Sequence, residues 1–310
     1  MQSLLHAARE GVLVTARPDL RGLVVTGPDR TSWLNGMITS DLLSTQRGDA
    51  VYGLALNKQG KILTDIIALE HAGRLLLAAD ASGLHETLAH LNHFLIMEDA
   101  EIESWSEPHA WVVAFGPWAA RLVQLSRATA SSDVAAASGP ILGYPAAAFA
   151  VRGGADDAAQ RIAALAPEHA VACSSGQLDA VRVALGIPRF GVDFTQANYP
   201  MDVGLDERAI SFNKGCYLGQ EVVVKLRSRG KPVRTLKRLS FSPDVALPCP
   251  GAPVRTEQGK DVGTVTSASR ADPHSVGIAF ALVRRADIQG ATRVLAGEQP
   301  ATLLDAWEWW

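Results

Sequence analysis

The chain has 310 residues, with 29 Lys plus Arg against 32 Asp plus Glu for a net charge of −3, 47% hydrophobic and 20% charged residues. That balance excludes a disordered polyampholyte and fits two or three folded domains with a large core. Apolar runs stop well short of ~20 residues, so no membrane span is expected, and the opening residues lack the apolar centre of a secretory signal.

In chain order, 22–26 reads as a strand, Gly27 and Pro28 as a turn, and 30–37 as a helix, with Pro and Asp just ahead of its start. The same strand, Gly-Pro turn and helix recur at 110–125 around Gly116 and Pro117, a weak internal duplication. Segment 51–56 alternates into a hairpin turn at 57–61, and strands follow at 62–69 and 74–79. Leu84, Leu88, Leu91 and Leu95 stand at helical spacing over 82–96, with Ser82 as the expected N-cap. His85, His90 and His93 on that helix are read as solvent-facing side chains, since a metal site needs i, i+4 pairs and a carboxylate. A strand at 100–105 follows. The Ala- and Ser-rich stretch 126–140 reads as a loop. A strand at 146–151 and helices at 156–165 and 176–185 come next, the last closing at Gly186 ahead of Pro188. From 234 on, short Val- and Thr-rich strands separated by turn residues predict a small all-β barrel or sandwich. The aromatic tail, Trp307, Glu308, Trp309 and Trp310, is assigned no role.

Strand and helix alternation with antiparallel returns points to an α+β fold rather than a doubly wound sheet. The expected boundaries are 1–233 for the α+β region, with two subdomains, and 234–310 for the β domain. Cys173, Cys216 and Cys249 are odd in number and far apart, which argues against a disulfide framework and for a reducing compartment. Between Lys214 and Arg238 stand eight cations and one acid, a surplus of seven that leaves the rest of the chain at −10. A basic strip at 225–238 on an acidic body suits an anionic partner or, equally, a solvated strand face. Aromatic residues are sparse there, which weakens a nucleic-acid site.

The densest chemistry lies in 212–230, F-N-K-G-C-Y-L-G-Q-E-V-V-V-K-L-R-S-R-G. Val222, Val223 and Val224 read as a strand behind a tight loop that presents Cys216. A thiol beside the Lys214 cation has a route to a lowered pKa. It is also a small hydrophobe suited to a core, and no His stands near it in sequence.

The run K-G-C-Y-L-G-Q-E at 214–221 resembles the signature of the YgfZ-type folate-binding proteins, relatives of the glycine-cleavage T-protein (aminomethyltransferase). Two further segments extend the resemblance, R-x-x-x-G-x-P-x-x-G-x-D at 182–193 and P-x-D at 200–202. The resemblance implies a T-protein-like fold, two interleaved ferredoxin-like subdomains around a central folate site plus a C-terminal β-barrel. It also implies tetrahydrofolate or a one-carbon derivative as cofactor, and a role in assembly or repair of iron–sulfur enzymes, with tRNA modification beside it. Iron–sulfur clients or assembly proteins would be partners, and the location would be the cytoplasm, or the mitochondrial matrix in a eukaryote. Three scattered cysteines cannot supply a four-thiolate cluster site, so that service is expected without a permanently held cluster.

By the same resemblance Cys216 is the functional thiol, and Asp65, Asp202, Lys214, Tyr217, Gln220, Glu221 and Arg229 are the folate-binding candidates. At 202 the relatives carry Glu, whose carboxylate bonds the pterin; Asp202 is one methylene shorter. Asp65 stands where T-proteins carry paired acids, but Thr64 replaces its neighbour. With one carboxylate left, an aminomethyltransferase of the T-protein type is the alternative rather than the leading reading. A scaffold whose basic strip docks RNA or a protein is a third. Lys225 stands where the family has Arg, keeping charge but losing the bidentate fork.

Overall fold

The computed structural model describes residues 4–46, 48–129, 133–154, 157–230, 232–270 and 275–305. Lys231 and the tail from Trp307 to Trp310 lie outside them. The chain forms two compact units, the first from 1–175 and 208–220, the second from 176–207 and 221–310.

The first unit begins with α1 (Leu4–Glu10), β1 (Val12–Ala16), β2 (Leu20–Thr26), α2 (Arg30–Met37), β3 (Ala50–Leu56), β4 (Ile62–His71), β5 (Arg74–Asp80), α3 (Leu84–His93) and β6 (Glu101–Ser104). It continues with β7 (His109–Phe115), α4 (Ala119–Ala128), β8 (Val134–Ile141), β9 (Tyr144–Arg152), α5 (Ala158–Ala163) and β10 (Ala170–Cys173). Two five-stranded sheets result, ordered β3-β4-β5-β2-β6 and β10-β1-β7-β9-β8. The first strand belongs to the second sheet, where it pairs parallel with β10 and antiparallel with β7. The two sheets of this unit are thereby interleaved in sequence. Each sheet buries one face under helices. Trp33 and Leu34 of α2 and Leu91 of α3 pack on β2, β4 and β5, while Leu122 and Val123 of α4 and Ile162 of α5 pack on β1, β7 and β9.

The repeated turn has a steric cause. Gly27 (φ +92°) and Gly116 (φ +140°) each end a strand and precede a helix. An added Cβ would stand 2.2 Å from the Asp99 carbonyl at one and 2.3 Å from the Gly11 carbonyl at the other. Only glycine fits such an approach.

The segment expected to loop at 126–140 instead carries the end of α4 and most of β8. Its small residues are a packing requirement: a Cβ on Gly139 would lie 2.1 Å from the Ala50 carbonyl, where β8 passes against β3. The expected cap Ser82 is replaced by Asp80, whose carboxylate accepts the Ser82 amide at 2.9 Å and opens a single 3-10 turn ahead of α3. His85 and His93 are exposed, whereas His90 is half-buried with a ring nitrogen 3.2 Å from the Leu56 carbonyl.

The second unit contains α6 (Ser175–Ala184) from Gly176 on, α7 (Gln220–Arg229) from Glu221 on, and six strands. These are β11 (Arg234–Phe241), β12 (Pro253–Arg255), β13 (Asp261–Ser269), β14 (Gly277–Arg284), β15 (Arg293–Ala296) and β16 (Gln299–Asp305). They close as a barrel, β11-β14-β13-β12-β15-β16, when β16 returns to pair with β11. The valines read as a strand at 222–224 are helical. Gln, Glu, Lys, Leu and Arg around them favour a helix, and Glu221 pairs with Lys225 one turn on at 2.6 Å. Val223 alone of the three is sealed, at 0% exposure, while Val224 is exposed.

The R-x-x-x-G-x-P-x-x-G-x-D segment becomes a buried ion network. Asp193, 1% exposed, accepts from Arg182 Nη1 at 2.6 Å, the Arg189 amide at 2.9 Å, and the hydroxyls of Thr266 and Ser267, each at 2.6 Å. It thereby ties the loop after α6 to β13 of the barrel. Arg182 also holds Asp179 through Nε at 2.6 Å. Removing one partner of a buried pair strands the other charge, at about 3–5 kcal/mol. Asp193→Ala is therefore expected to lose stability of that order in urea unfolding, while Glu221→Ala, which removes an exposed pair, changes it by less than ~0.5 kcal/mol.

Candidate functional site

The motif loop is fixed at both ends. Lys214 Nζ donates to the carbonyls of Asn35, Ile38 (2.9 Å) and Ser40 (2.7 Å). These carbonyls lie at and just beyond the C-terminal end of α2, where backbone acceptors lack helical partners and the helix dipole favours a cation. The ammonium has three N–H donors, and all three are engaged. Burial pulls its pKa down to about 8, opposed by the Asp41 carboxylate. Lys214 is thus an anchor of the motif loop.

Beyond it, the Leu218 amide donates to the Gly36 carbonyl at 3.0 Å. Gly219 sits at φ +85°, where a Cβ would stand 2.8 Å from the Asn57 carbonyl and 3.1 Å from Leu56 Cβ. Tyr217 is buried, and its ring lies 5.5 Å from Lys214 Nζ. Its hydroxyl is buried with no hydrogen-bond partner among the described residues, and burial pushes its pKa to about 12. A buried orphan hydroxyl is a site for a water or ligand acceptor. Between these anchors Gly215 and Cys216 are exposed. The thiol is therefore presented to solvent, and the core-cysteine reading fails for Cys216. That reading holds for Cys173, which is buried with its thiol pushed up to about 11.

Asp65, in the same unit, lies on β4. Its Oδ2 accepts from the Tyr52 hydroxyl at 3.0 Å. Register explains the contact: Leu54 faces Asp65 and Tyr52 faces Ile67 across the β3–β4 pair, so Tyr52 and Asp65 share one face on a diagonal. Burial raises the Asp65 pKa to about 6, against the opposing pull of the Arg17 guanidinium and the Tyr52 bond. Tyr52 is raised well above its ordinary value by burial and by that charge. Neither Arg17 nor Tyr52 stood out in the sequence, although the hairpin register carried the signal for Tyr52. Thr64 points the other way, fully buried.

Gln220 is half-buried at the first position of α7, its amide donating to the Tyr217 carbonyl at 3.2 Å. In the second unit Glu221 is exposed, and the Lys225 hydrogen bond and charge hold its carboxyl below the ordinary range. Arg229 is the last residue of α7, and its side chain lies outside the described residues. The basic strip divides: Lys225 and Arg227 are exposed on α7, Lys237 pairs with Asp305, and Arg238 is buried at 1% exposure with Nε on the Asp305 carbonyl at 3.2 Å. A continuous solvated strand face is thus corrected to a helix followed by a barrel strand.

Asp202, also in the second unit, sits in a 3-10 turn, Pro200–Val203, with Oδ2 accepting the Tyr199 amide at 2.9 Å. It lines a cleft of about 670 Å³ together with Phe194, Asn198, Tyr199 and Thr266. That volume suits a drug-sized ligand. A carboxylate is an acceptor for N–H donors such as those of a heterocycle, and Phe194 and Tyr199 line the cleft beside Asp202.

Two α+β sheets interleaved in one unit and a closed barrel in the other define a T-protein-like protein. Residues 2–162, more than half of the chain, match the family described as the GCVT N-terminal domain, and the protein belongs to that family. The aminomethyltransferase of Exiguobacterium sibiricum is 25% identical over 290 residues, 89% of this chain and 79% of its own. The tRNA-modifying protein YgfZ of Vibrio vulnificus is 26% identical over 224 residues, 72% of this chain and 68% of its own. The glycine cleavage system aminomethyltransferase T of Bartonella henselae shares the fold, with a TM-score of 0.77 over 97% of this chain and 87% of that one at 21% identity. No helix among the described residues is long and apolar enough to cross a membrane.

Two measurements check the site. Native-state alkylation with peptide mapping is expected to label Cys216 and Cys249, both exposed, and to spare Cys173 until the protein unfolds. For Asp65 the folded pKa of about 6 exceeds the usual 3.8, so the folded state retains a proton that the unfolded chain releases. Stability therefore falls as pH rises from about 4 to 6, by roughly 1–3 kcal/mol, and Asp65→Asn abolishes that decline in unfolding measured across the range.

Proposed function

We propose that this protein binds tetrahydrofolate or a one-carbon derivative and serves the assembly or repair of iron–sulfur enzymes, with Cys216 as its functional thiol. The observation that carries the reading is the contrast within K-G-C-Y-L-G-Q-E: Lys214, Tyr217 and Gly219 are fastened or buried, and the sulfur is offered to solvent. A core motif would bury the sulfur, and a mobile loop would not need three anchors.

The folate assignment draws on family membership and on a fit of residues to the group. Asp202 in its cleft supplies a charged acceptor for the amino-pyrimidine edge of a pterin. Charge-assisted bonds of this kind contribute about 1.5–3 kcal/mol each. Bound tetrahydrofolate would supply a one-carbon carrier. Lys214 orients the thiol loop, and Asp202 orients the ring. Three free cysteines agree with a reducing compartment, bacterial cytoplasm or mitochondrial matrix. Iron–sulfur clients or assembly proteins are the proposed partners, with an anionic partner at the basic strip 225–238 beside them.

A second reading, aminomethyl transfer, is favoured by one observation. Burial raises the Asp65 pKa to about 6, which suits a group that takes and returns protons. Against it, Thr64 leaves that carboxylate without the paired acid of the T-protein pattern.

Calorimetry with tetrahydrofolate separates the readings. Wild type and Cys216→Ala are expected to bind, and Asp202→Ala to bind about 10–100-fold more weakly. Restoration of iron–sulfur enzyme activity in cells lacking the gene is expected from wild type and Asp65→Asn but not from Cys216→Ala. Turnover of an aminomethylated carrier protein, lost in Asp65→Asn, would establish the second reading instead.

A further inference from the structure

Among the described residues of the first unit, three large apolar side chains stand in solvent: Leu43 at 62% exposure, Ile96 at 80% and Met97 at 91%. A single exposed apolar residue needs no explanation, but these three share one construction. Each sits in a loop whose amides are gathered by one carboxylate. Asp41 Oδ1 accepts the Leu43 and Ser44 amides at 3.0 and 3.2 Å. Glu98 Oε2 accepts the Ile96 and Met97 amides at 3.2 and 3.1 Å. The Met97, Glu98 and Ile96 amides hold the Glu98 carboxyl below its ordinary range. Charge-assisted bonds thus fix the backbone of both loops, and the apolar side chains they carry are left bare.

Both loops lead away from the elements that hold the motif loop. On one side, Lys214 Nζ bonds the Ser40 carbonyl and the Leu218 amide bonds the Gly36 carbonyl. Leu43 follows shortly after Ser40. On the other side, Gly219 is pressed against Leu56 and Asn57 at the β3–β4 turn. A ring nitrogen of His90 in α3 lies 3.2 Å from the same Leu56 carbonyl, and Lys58 Nζ lies 5.4 Å from the Phe94 ring. Ile96 and Met97 come directly after. The loop that presents Cys216 is therefore held between the roots of the two apolar loops, all within one unit. Charge changes sign along this path. Lys58 is exposed and forms no ion pair among the described residues, whereas Asp99, Glu101 and Glu103 are the exposed charges beyond Glu98.

Resting on the iron–sulfur reading above, we propose that Leu43, Ile96 and Met97 form the docking face for the protein that the Cys216 thiol serves. The partner this face fits is a folded protein with an apolar cleft for Ile96 and Met97 and an acidic rim opposite Lys58. Loops pinned in advance lose little freedom on docking, so their apolar anchors act at small ordering cost. The unbranched Met97 adapts to the shape of the cleft it enters. The reversal of charge from Lys58 to Glu103 sets the partner's orientation.

The test uses the full-length protein in cells lacking the gene. Leu43→Asp, and Ile96→Asp combined with Met97→Asp, are expected to restore iron–sulfur enzyme activity at least about tenfold less well than wild type. Thermal melts of these variants are expected to match wild type, and their tetrahydrofolate affinities to stay within about twofold of it by calorimetry. Photo-reactive benzoylphenylalanine in place of Leu43 or of Met97 is expected to cross-link one and the same iron–sulfur protein. Lys58→Glu is expected to cut that adduct about tenfold, and the same probe in place of Val276, exposed on the barrel, to give none. Full restoration by the apolar variants overturns the docking face and leaves the iron–sulfur reading standing. Adducts with unrelated proteins at the two positions overturn it as well. Adducts with a second copy of this chain, or with lipid, overturn it and name the occupant instead. Wild type that fails to restore the enzymes removes the iron–sulfur reading and this partner with it.

Discussion

The ammonium of Lys214 is the constraint on which the presentation of Cys216 depends. A helix end leaves carbonyls without partners, and α2 meets that need with a cation from a segment remote in sequence. One side chain thereby satisfies three acceptors and fixes the position of the next two residues. Tyr217 and Leu218 then turn the chain inward, and Gly219 passes where no other residue fits. Exposure of the sulfur is therefore a product of rigidity around it rather than of a loose loop. The half-buried Lys214 gives up proton affinity in return, with its pKa down to about 8.

A similar economy ties the second unit together. Arg182 and Asp193 arise from one sequence segment, and their network reaches two hydroxyls of β13, so a buried carboxylate ties the loop after α6 to the barrel. Phe194 and Asn198 follow directly on Asp193, which explains how a cleft wall can be built from irregular backbone and still hold its shape. Asp65 obeys the opposite logic. Its burial is only partly offset by Tyr52 and Arg17, and its pKa is raised to about 6.

How far the sequence disclosed this depends on the kind of information each feature needs. Strands such as β3 and β4, with a turn between, are local patterns and were legible; so were α2, α3 and the Gly turns that precede α2 and α4. The barrel was legible as a class because short Val- and Thr-rich runs recur. Val222, Val223 and Val224 misled, since intrinsic β preference yields where neighbours favour a helix and one face alone is sealed. The small residues of β8 read as loop because their need comes from β3, a contact that no local window contains. The motif at 214–221 drew attention to a stretch of chain but not to which of its residues are fastened and which are exposed. Nothing local says that Lys214 serves three distant carbonyls while Cys216 is left bare.

The placement of β1 has a further consequence. Val12 pairs with Ala170 in parallel, so the first strand of the chain must wait for the last strand of its sheet before that edge is complete. During synthesis the N-terminal segment emerges long before its partner, and its row of amides and carbonyls stands open in the interval. A dissection that stops at residue 162, where the family match ends, would remove β10 and leave the same edge permanently bare. Interleaving thus makes the first half of the chain an unfinished object on its own, and timing on the ribosome becomes part of how this architecture is reached.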